Sequence, residues 1–274
     1  MSRLRVLFFG DIVGKTGRML FQKYSARIRQ ELEVDALIVN GENSSHGRGV
    51  TSRVMKFFKD NGVDVVTSGN HIWHNKEIYP YLDSNKDLLR PANYPSDCQG
   101  VGVTTFSCKG KEIAIINLQG RTFMRDVVEC PFQAAKSILT YLKDKTNIIF
   151  VDFHAEATSE KLGLAYFLDG KISGIVGTHT HVQTADERIL PGGTAYITDL
   201  GMAGSLNSMI GMLKEPIIRR FITQMPVRFS VDTQPPFILS GVYIDVDTDT
   251  GKALEIKRIQ IIDDEMQVDP ELRS

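Results

Sequence analysis

Short apolar runs alternate along the chain with longer segments whose apolar positions recur every three or four residues. Residues 4–9 form an apolar-rich run closed by Gly10-Asp11, which predicts a buried strand. Over 17–32, Leu20, Tyr24, Ile28 and Leu32 are spaced by four, the repeat of one helix face. Residues 36–39 predict a second strand, 53–60 a second helix and 63–67 a third strand. Strand–helix–strand at this rhythm implies right-handed crossovers and a largely parallel sheet. From about residue 101 the character changes: 102–107 and 112–118 flank Cys108-Lys109-Gly110-Lys111, the pattern of a β-hairpin. Pro131 opens a predicted helix running to about 143. Strands at 148–153 and 172–176 enclose a helix near 159–168, and strands at 195–198, 237–246 and 253–262 close the chain. No Pro/Ser-rich linker, internal repeat or low-complexity stretch interrupts the pattern, so one α/β domain over 1–274 is expected.

Composition narrows the class. A chain of 274 residues, 42% hydrophobic and 24% charged, buries a full core, which excludes disorder and a disulfide-stapled mini-domain. A formal charge of −1 gives no global field for nucleic acid or anionic lipid, so no stable nucleic-acid partner is expected. The three cysteines, Cys98, Cys108 and Cys130, form no CxxC pair and read as free thiols in a reducing compartment. No apolar run approaches the roughly 20 residues of a membrane helix, and the run at 6–9 is too short for a signal-peptide core. A cytoplasmic protein without a membrane partner is expected. Apolar residues over 209–221 are expected to join the core more than an interface, and a homo-oligomer remains compatible with the pattern.

The chemistry lies just past the apolar runs. Asp11 follows the first strand, Glu42-Asn43 the second and Asn70-His71 the third. His154 follows the strand at 148–153, and His179 and His181 follow the one at 172–176. Ligand sites in open α/β sheets lie outside the carboxyl ends of strands. Five strand ends therefore deliver metal-type side chains to one edge. Imidazole with carboxylate suits Zn, Mn or Fe, and without paired cysteines a structural zinc is disfavoured. Gly177-Thr178-His179-Thr180-His181 points two imidazoles to one side if extended, or to two neighbouring ions if the loop curves. Behind Gly69, the Asn70 amide oxygen offers a ligand while His71 points elsewhere, toward a leaving group; imidazole titrates near 6.5 when unperturbed, which suits a proton donor. Read singly, Asp11 equally suits a helix N-cap and Glu42 a loop cap. Asp152 and Glu156 are placed to orient ligand imidazoles or to be solvated loop charges.

Asp11, an acidic residue after strand two, Gly69-Asn70-His71, a lone His154 and Gly177-x-His179-x-His181 follow one another over about 170 residues. This ordered set resembles the calcineurin-like metallophosphoesterases. The chain departs from the broad superfamily in having Asp11-Ile12-Val13 for Asp-x-His and Gly41-Glu42-Asn43 for Gly-Asp. Both departures are shared by the YmdB-like phosphodiesterases. Asn40 through Ser44, Thr67 through His71, Arg90-Pro91-Ala92-Asn93, Asn117 through Arg121, Asp152 through Thr158 and Gly177 through Asp186 resemble that subfamily too. The resemblance implies an α/β sandwich with helices flanking a central β-sandwich, and two metal ions, iron in both positions or mixed, with Mn or Zn as alternatives. It implies one ion held by Asp11, Glu42, Asn43 and His181, the other by Glu42, Asn70, His154 and His179, with Glu42 bridging and His71 as general acid. The missing histidine makes the first shell poorer in nitrogen and leaves its metal open. Two ions roughly 3.5–4 Å apart neutralise a phosphate and activate water for in-line attack. The implied substrates are small phosphodiesters, notably 2′,3′-cyclic nucleotides such as 2′,3′-cAMP.

Other readings remain at this stage. Gly14-Lys15-Thr16 lacks the earlier glycine of a phosphate-binding loop, since position 9 is Phe9. Gly204-Ser205-Leu206 is no nucleophile elbow, and the stretch around Gly201-Met202-Ala203-Gly204 reads as a glycine-rich loop near the metals or a surface turn. A phosphomonoesterase on the same core stays open, as does a metal-binding regulatory protein with little turnover, although the intact His71 counts against the latter. Trp73 reads as a loop-packing residue or a base-stacking platform. Arg48 and Arg121 are candidate phosphate contacts, and His46 and His74 are unassigned.

Overall fold

The computed structural model describes residues 2–268 and holds two six-stranded sheets. The first contains β1 (Arg3–Ile12), β2 (Ala36–Asn40) and β3 (Val65–Thr67), all parallel, with β10 (Met202–Ser205), β11 (Phe237–Asp247) and β12 (Ala253–Asp263) on the far side of β1. The second contains β4 (Val103–Cys108), β5 (Lys111–Gln119), β6 (Ile148–His154), β7 (Gly174–Thr178), β8 (Arg188–Ile189) and β9 (Ala195–Ile197), with β5, β6, β7 and β9 parallel. Helices α1 (Gly14–Glu31) and α2 (Ser52–Asp60) pack on the first sheet. Helices α4 (Pro131–Leu142) and α5 (Thr158–Leu168) pack on the second, and α3 (Tyr79–Ser84) and α6 (Lys214–Thr223) lie in connections.

Period-two alternation along β1 explains the layering. Leu4, Val6 and Phe8 enter the core between the sheets, where Phe8 meets Phe150 at 5.4 Å between ring centres. Leu7 and Phe9 point the other way, onto Leu20, Phe21 and Ile28 of α1. A strand covered on both faces is apolar at nearly every position, which is why 4–9 reads as a continuous run. On β6 the same logic sends Ile148 and Phe150 between the sheets, and Ile149, Val151 and Phe153 under α4 and α5.

The strand–helix rhythm read alone points to one largely parallel sheet, whereas the two sheets found are the central β-sandwich that the resemblance implies. The β4–β5 hairpin is antiparallel and β5 then pairs with β6, so the second half builds its own sheet against the first. β3 is shorter than 63–67 because Val63 closes the α2 turn through its N–H to the Phe58 carbonyl. α1 starts at Gly14, where a positive φ of 57° turns the chain out of β1. β7 runs to Thr178 and so delivers His179 directly. Gly201 through Gly204 is not simply a loop: Met202–Ser205 is strand β10, paired with β1 in register Asp11–Met202. The stretch 209–221 does not join the core as expected. Of α6 only Ile217 is buried, while Ile218, Phe221 and Ile222 are exposed.

Candidate metal centre

All eight predicted site residues meet at the carboxyl ends of the two sheets. Asp11 lies near the end of β1, Glu42 and Asn43 follow β2, and Asn70 and His71 follow β3. His154 ends β6, and His179 and His181 follow β7. Asp11, Glu42, Asn43 and His154 are fully buried. The edges are tied across the sandwich: Asn40 Nδ2 and Thr67 Oγ1 both donate to Asp152 Oδ2, at 3.2 and 2.5 Å. Gly69 is required by close approach, since a Cβ there would stand 2.1 Å from His154 Cδ2.

Around His154, four ligand-type atoms converge. His154 Nε2 lies 3.0 Å from His179 Nδ1, 3.1 Å from Asn70 Oδ1 and 3.3 Å from Glu42 Oε1. Ligands bonded to one ion at about 2.0–2.2 Å stand about 3.0–3.5 Å apart on adjacent vertices. The outer nitrogens are already engaged. His154 Nδ1 meets Thr178 Oγ1 at 3.0 Å, and that hydroxyl donates to Asp152 Oδ1 at 2.7 Å, so Nδ1 carries the proton. His179 Nε2 meets Glu156 Oε2 at 3.2 Å. Two inward nitrogens whose partners fix them as acceptors thus face each other at 3.0 Å, an arrangement that calls for a shared cation. Burial pushes His179 down to about 3, which keeps it neutral and able to ligate. Burial opposes the Glu42 charge, but His154 and His71 outweigh it and hold the carboxylate well below its usual range.

A second group forms around Asn43. Its Nδ2 lies 3.1 Å from Asp11 Oδ1, 3.2 Å from Glu42 Oε1 and 3.1 Å from His181 Nε2. His181 Nδ1 donates to the Ile210 carbonyl at 2.9 Å, leaving Nε2 inward. Burial opposes the His181 charge, but Asp11 outweighs it and pushes the imidazole up to about 9. Two carboxylate oxygens accept from this amide nitrogen and the His181 imidazole stands beside it, so positive charge already gathers where a cation fits. A 180° turn of the amide exchanges Nδ2 for Oδ1 and completes an all-ligand shell. Glu42 Oε1 touches both groups, 3.3 Å from His154 Nε2 and 3.2 Å from Asn43 Nδ2. His179 and His181 adopt positive φ of 100° and 65°, so the loop curves and sends one imidazole to each group.

His71 stands beside both. Its Nδ1 lies 2.8 Å from Asn43 Oδ1 and 3.2 Å from Glu42 Oε1, and its N–H donates to Glu42 Oε2 at 3.1 Å. Its Nε2 makes no protein hydrogen bond among the described residues.

Several alternatives close. Asp11 is not an N-cap, because Val13 holds that position of α1. Asp152 acts on His154 only through Thr178, whereas Glu156 touches His179 directly. Trp73 packs edge-on against Tyr94, with ring centres 4.7 Å apart. Arg121 is exposed, its backbone N–H held by Glu160. Sequence reasoning passed over Thr178 and Asp199. Asp199 Oδ2 pairs with the buried Lys161 at 2.7 Å and accepts the Thr180 N–H at 3.1 Å, which braces the histidine loop. Its place just after the apolar run 195–198 was the available signal.

A two-sheet α/β sandwich with carboxylates, amides and imidazoles gathered at the strand ends is the architecture of the calcineurin-like metallophosphoesterases, and its donor set marks a metal site. Within that class the chain belongs to the YmdB-like family: the family model described as YmdB-like protein matches residues 7–259. It is 48% identical over 263 residues to the 2′,3′-cyclic-nucleotide 2′-phosphodiesterase of Bacillus subtilis, covering 96% of this chain and 99% of that one. A crystal structure from Mycoplasma pneumoniae described as a novel phosphatase superposes with a TM-score of 0.91 at 37% identity, over 97% of this chain and 96% of that one. The NAD nucleotidase of Haemophilus influenzae shares the fold alone, with a TM-score of 0.61 at 15% identity over 95% of this chain and 56% of that one.

Proposed function

We propose that the chain is a dinuclear metal-dependent phosphodiesterase of the cytoplasm, one domain in extent, that hydrolyses small phosphodiesters and foremost 2′,3′-cyclic nucleotides. The observation that carries this reading is the facing pair of inward imidazole nitrogens, His154 Nε2 and His179 Nδ1, 3.0 Å apart beside Glu42 and Asn70. The substrate class follows the B. subtilis relative. The three cysteines are all unpaired, and no described helix is long and apolar enough to cross a membrane.

Asn70, His154 and His179 with Glu42 would hold one ion; Asp11, Asn43 and His181 with Glu42 the other. The mixed nitrogen and oxygen donors suit iron, with Mn or Zn as substitutes. Bound, the two ions supply charge neutralisation at phosphorus and acidity to a water. The chain supplies the rest. Glu42 holds His71 through its backbone N–H and lies beside Nδ1, which leaves Nε2 facing outward to give its proton to the departing ribose oxygen. The buried carboxylates keep the pocket electrostatically prepared for cations, and the pinned outer nitrogens hold each imidazole in one tautomer.

The test is elemental analysis of protein purified without chelator or nickel, with turnover of 2′,3′-cAMP, bis-p-nitrophenyl phosphate and p-nitrophenyl phosphate measured on the same sample. About two ions per chain and diester cleavage exceeding monoester cleavage are expected. His71→Ala should retain its metal and lose turnover by about 10²–10⁴-fold. No metal and no turnover under Fe, Mn or Zn refutes the reading; equal loss of metal in His71→Ala refutes the proton-donor role.

A further inference from the structure

A cavity of about 530 Å³ adjoins the metal centre, and its walls come from the segments that build that centre. Ser45, His46 and Arg48 continue the loop carrying Glu42 and Asn43. His74 follows His71, donates its N–H to the His71 carbonyl at 2.9 Å and holds its ring 6.2 Å from the His71 ring. The remaining wall, Met212, Arg220 and Val227 through Phe229, follows in the chain after the turn whose Ile210 carbonyl accepts from His181.

The charge of this cavity is one-sided. Arg48, Arg220 and Arg228 line it, and no carboxylate does. None of the three guanidiniums makes an ion pair or a side-chain hydrogen bond among the described residues, whereas Arg5 and Arg258 are matched to Asp245 and Glu187. Arg48 and Arg220 both lie over the Phe229 ring, at 5.8 and 5.3 Å from its centre. Each is a cation–π contact, which uses no guanidinium N–H. Cations gathered on one aromatic ring repel one another, and an anion placed among them reverses the sign. The planar N–H fork of arginine matches phosphate oxygens.

We infer that this cavity is a second phosphate subsite, formed by Arg48, Arg220 and Arg228, which takes a phosphate on the 5′ side of the nucleotide whose cyclic phosphate lies at the metals. The inference rests on the proposed function for what occupies the metal centre. A 2′,3′-cyclic phosphate uses both lower ribose oxygens, so a second phosphate on that nucleoside has only the 5′ oxygen to occupy. The preferred substrate therefore carries two phosphates: a 5′-phosphorylated cyclic mononucleotide or the 3′ end of an oligoribonucleotide.

The test uses the full-length protein as purified. Calorimetry compares adenosine 3′,5′-bisphosphate with 3′-AMP, and kcat/KM is compared for 2′,3′-cAMP, its 5′-phosphate and a diadenylate ending in a 2′,3′-cyclic phosphate. The bisphosphate should bind about tenfold tighter or more, an advantage that shrinks with salt. Arg220→Ala/Arg228→Ala and Arg48→Ala should collapse the ratio toward one; all three side chains are exposed, so the fold is retained. Faster cleavage of the diadenylate assigns the subsite to RNA ends, and faster cleavage of the 5′-phosphate to mononucleotides. Equal binding of bisphosphate and 3′-AMP, or an advantage that survives the double variant, overturns the subsite. If no cyclic nucleotide is cleaved yet the bisphosphate advantage holds and needs the arginines, the proposed function fails and the subsite stands.

Discussion

Thr178 is the relay on which the tautomer of His154 depends. Its hydroxyl donates to Asp152 Oδ1 at 2.7 Å and accepts from His154 Nδ1 at 3.0 Å, with all three side chains buried. Thr178→Val keeps the branched shape and removes only the hydroxyl. His154 Nδ1 is then orphaned and Asp152 Oδ1 loses its donor, each at about 1–3 kcal/mol. Asp152 keeps two donors, Thr67 and Asn40, which softens its share. Burial already pushes that carboxyl up to about 6 against the help of Thr67, His154 and Thr178, so losing a donor raises it further. The metal-free variant should therefore lose about 2–4 kcal/mol in urea unfolding. With Nδ1 unpartnered, the imidazole is free to rotate and to carry its proton on Nε2, the nitrogen that faces His179. Metal affinity at this shell should fall about 10–100-fold, read by competition against a chromophoric chelator. Thr178→Ser restores the hydroxyl and should stay near wild type in affinity. If Thr178→Val binds metal as tightly as Thr178→Ser, the relay does not set the tautomer and the reasoning is wrong.

Further outcomes follow from the same geometry. Lys161→Met should cost about 3–5 kcal/mol in urea unfolding, because it strands the Asp199 carboxylate in the interior while both side chains are at most 2% exposed; a neutral result means Asp199 finds another cation. Gly69→Ala should lower metal occupancy by elemental analysis, since its Cβ meets His154 Cδ2 and Nε2 at 2.1 and 2.3 Å, and full occupancy refutes the close-approach argument. Asp263 is held down to about 2: burial raises it, but Lys23, Tyr24 and the Met266 and Glu265 N–H groups outweigh burial. A carboxyl lowered on folding contributes stability above its ordinary 3.8, and that contribution is lost as pH falls through the folded value. Asp263→Asn should accordingly flatten the fall of the urea midpoint between pH about 4 and 2, and an unchanged acid limb refutes the assignment.

Much of the site was legible locally. An apolar run ends where its strand leaves the core, so the next polar residues sit at a sheet edge, and Asp11, Glu42, Asn70, His154 and His179 were found by that rule alone. Elements with weak local contrast were missed. β10 is four residues containing Gly204, and it exists because β1 and β11 flank it. α6 buries little, so its pattern carries no core stripe. Asp199, just after the apolar run 195–198, obeys the same rule.

What the sequence determined by itself is the rhythm of strands and helices and the kinds of donor that stand at strand ends, because both are properties of a few neighbouring residues. Tertiary structure alone decided that the strands divide into two sheets, since β1 pairs with β11 across more than 200 residues and no local signal reports that choice. It also decided which imidazole nitrogen faces inward. That depends on Thr178, Glu156 and the Ile210 carbonyl, partners supplied by separate loops and strands. The orientation of the Asn43 amide and the gathering of Arg48, Arg220 and Arg228 around one cavity belong to the same class of fact. Each is set by which distant groups share a buried or crowded space, and a linear pattern does not carry that information.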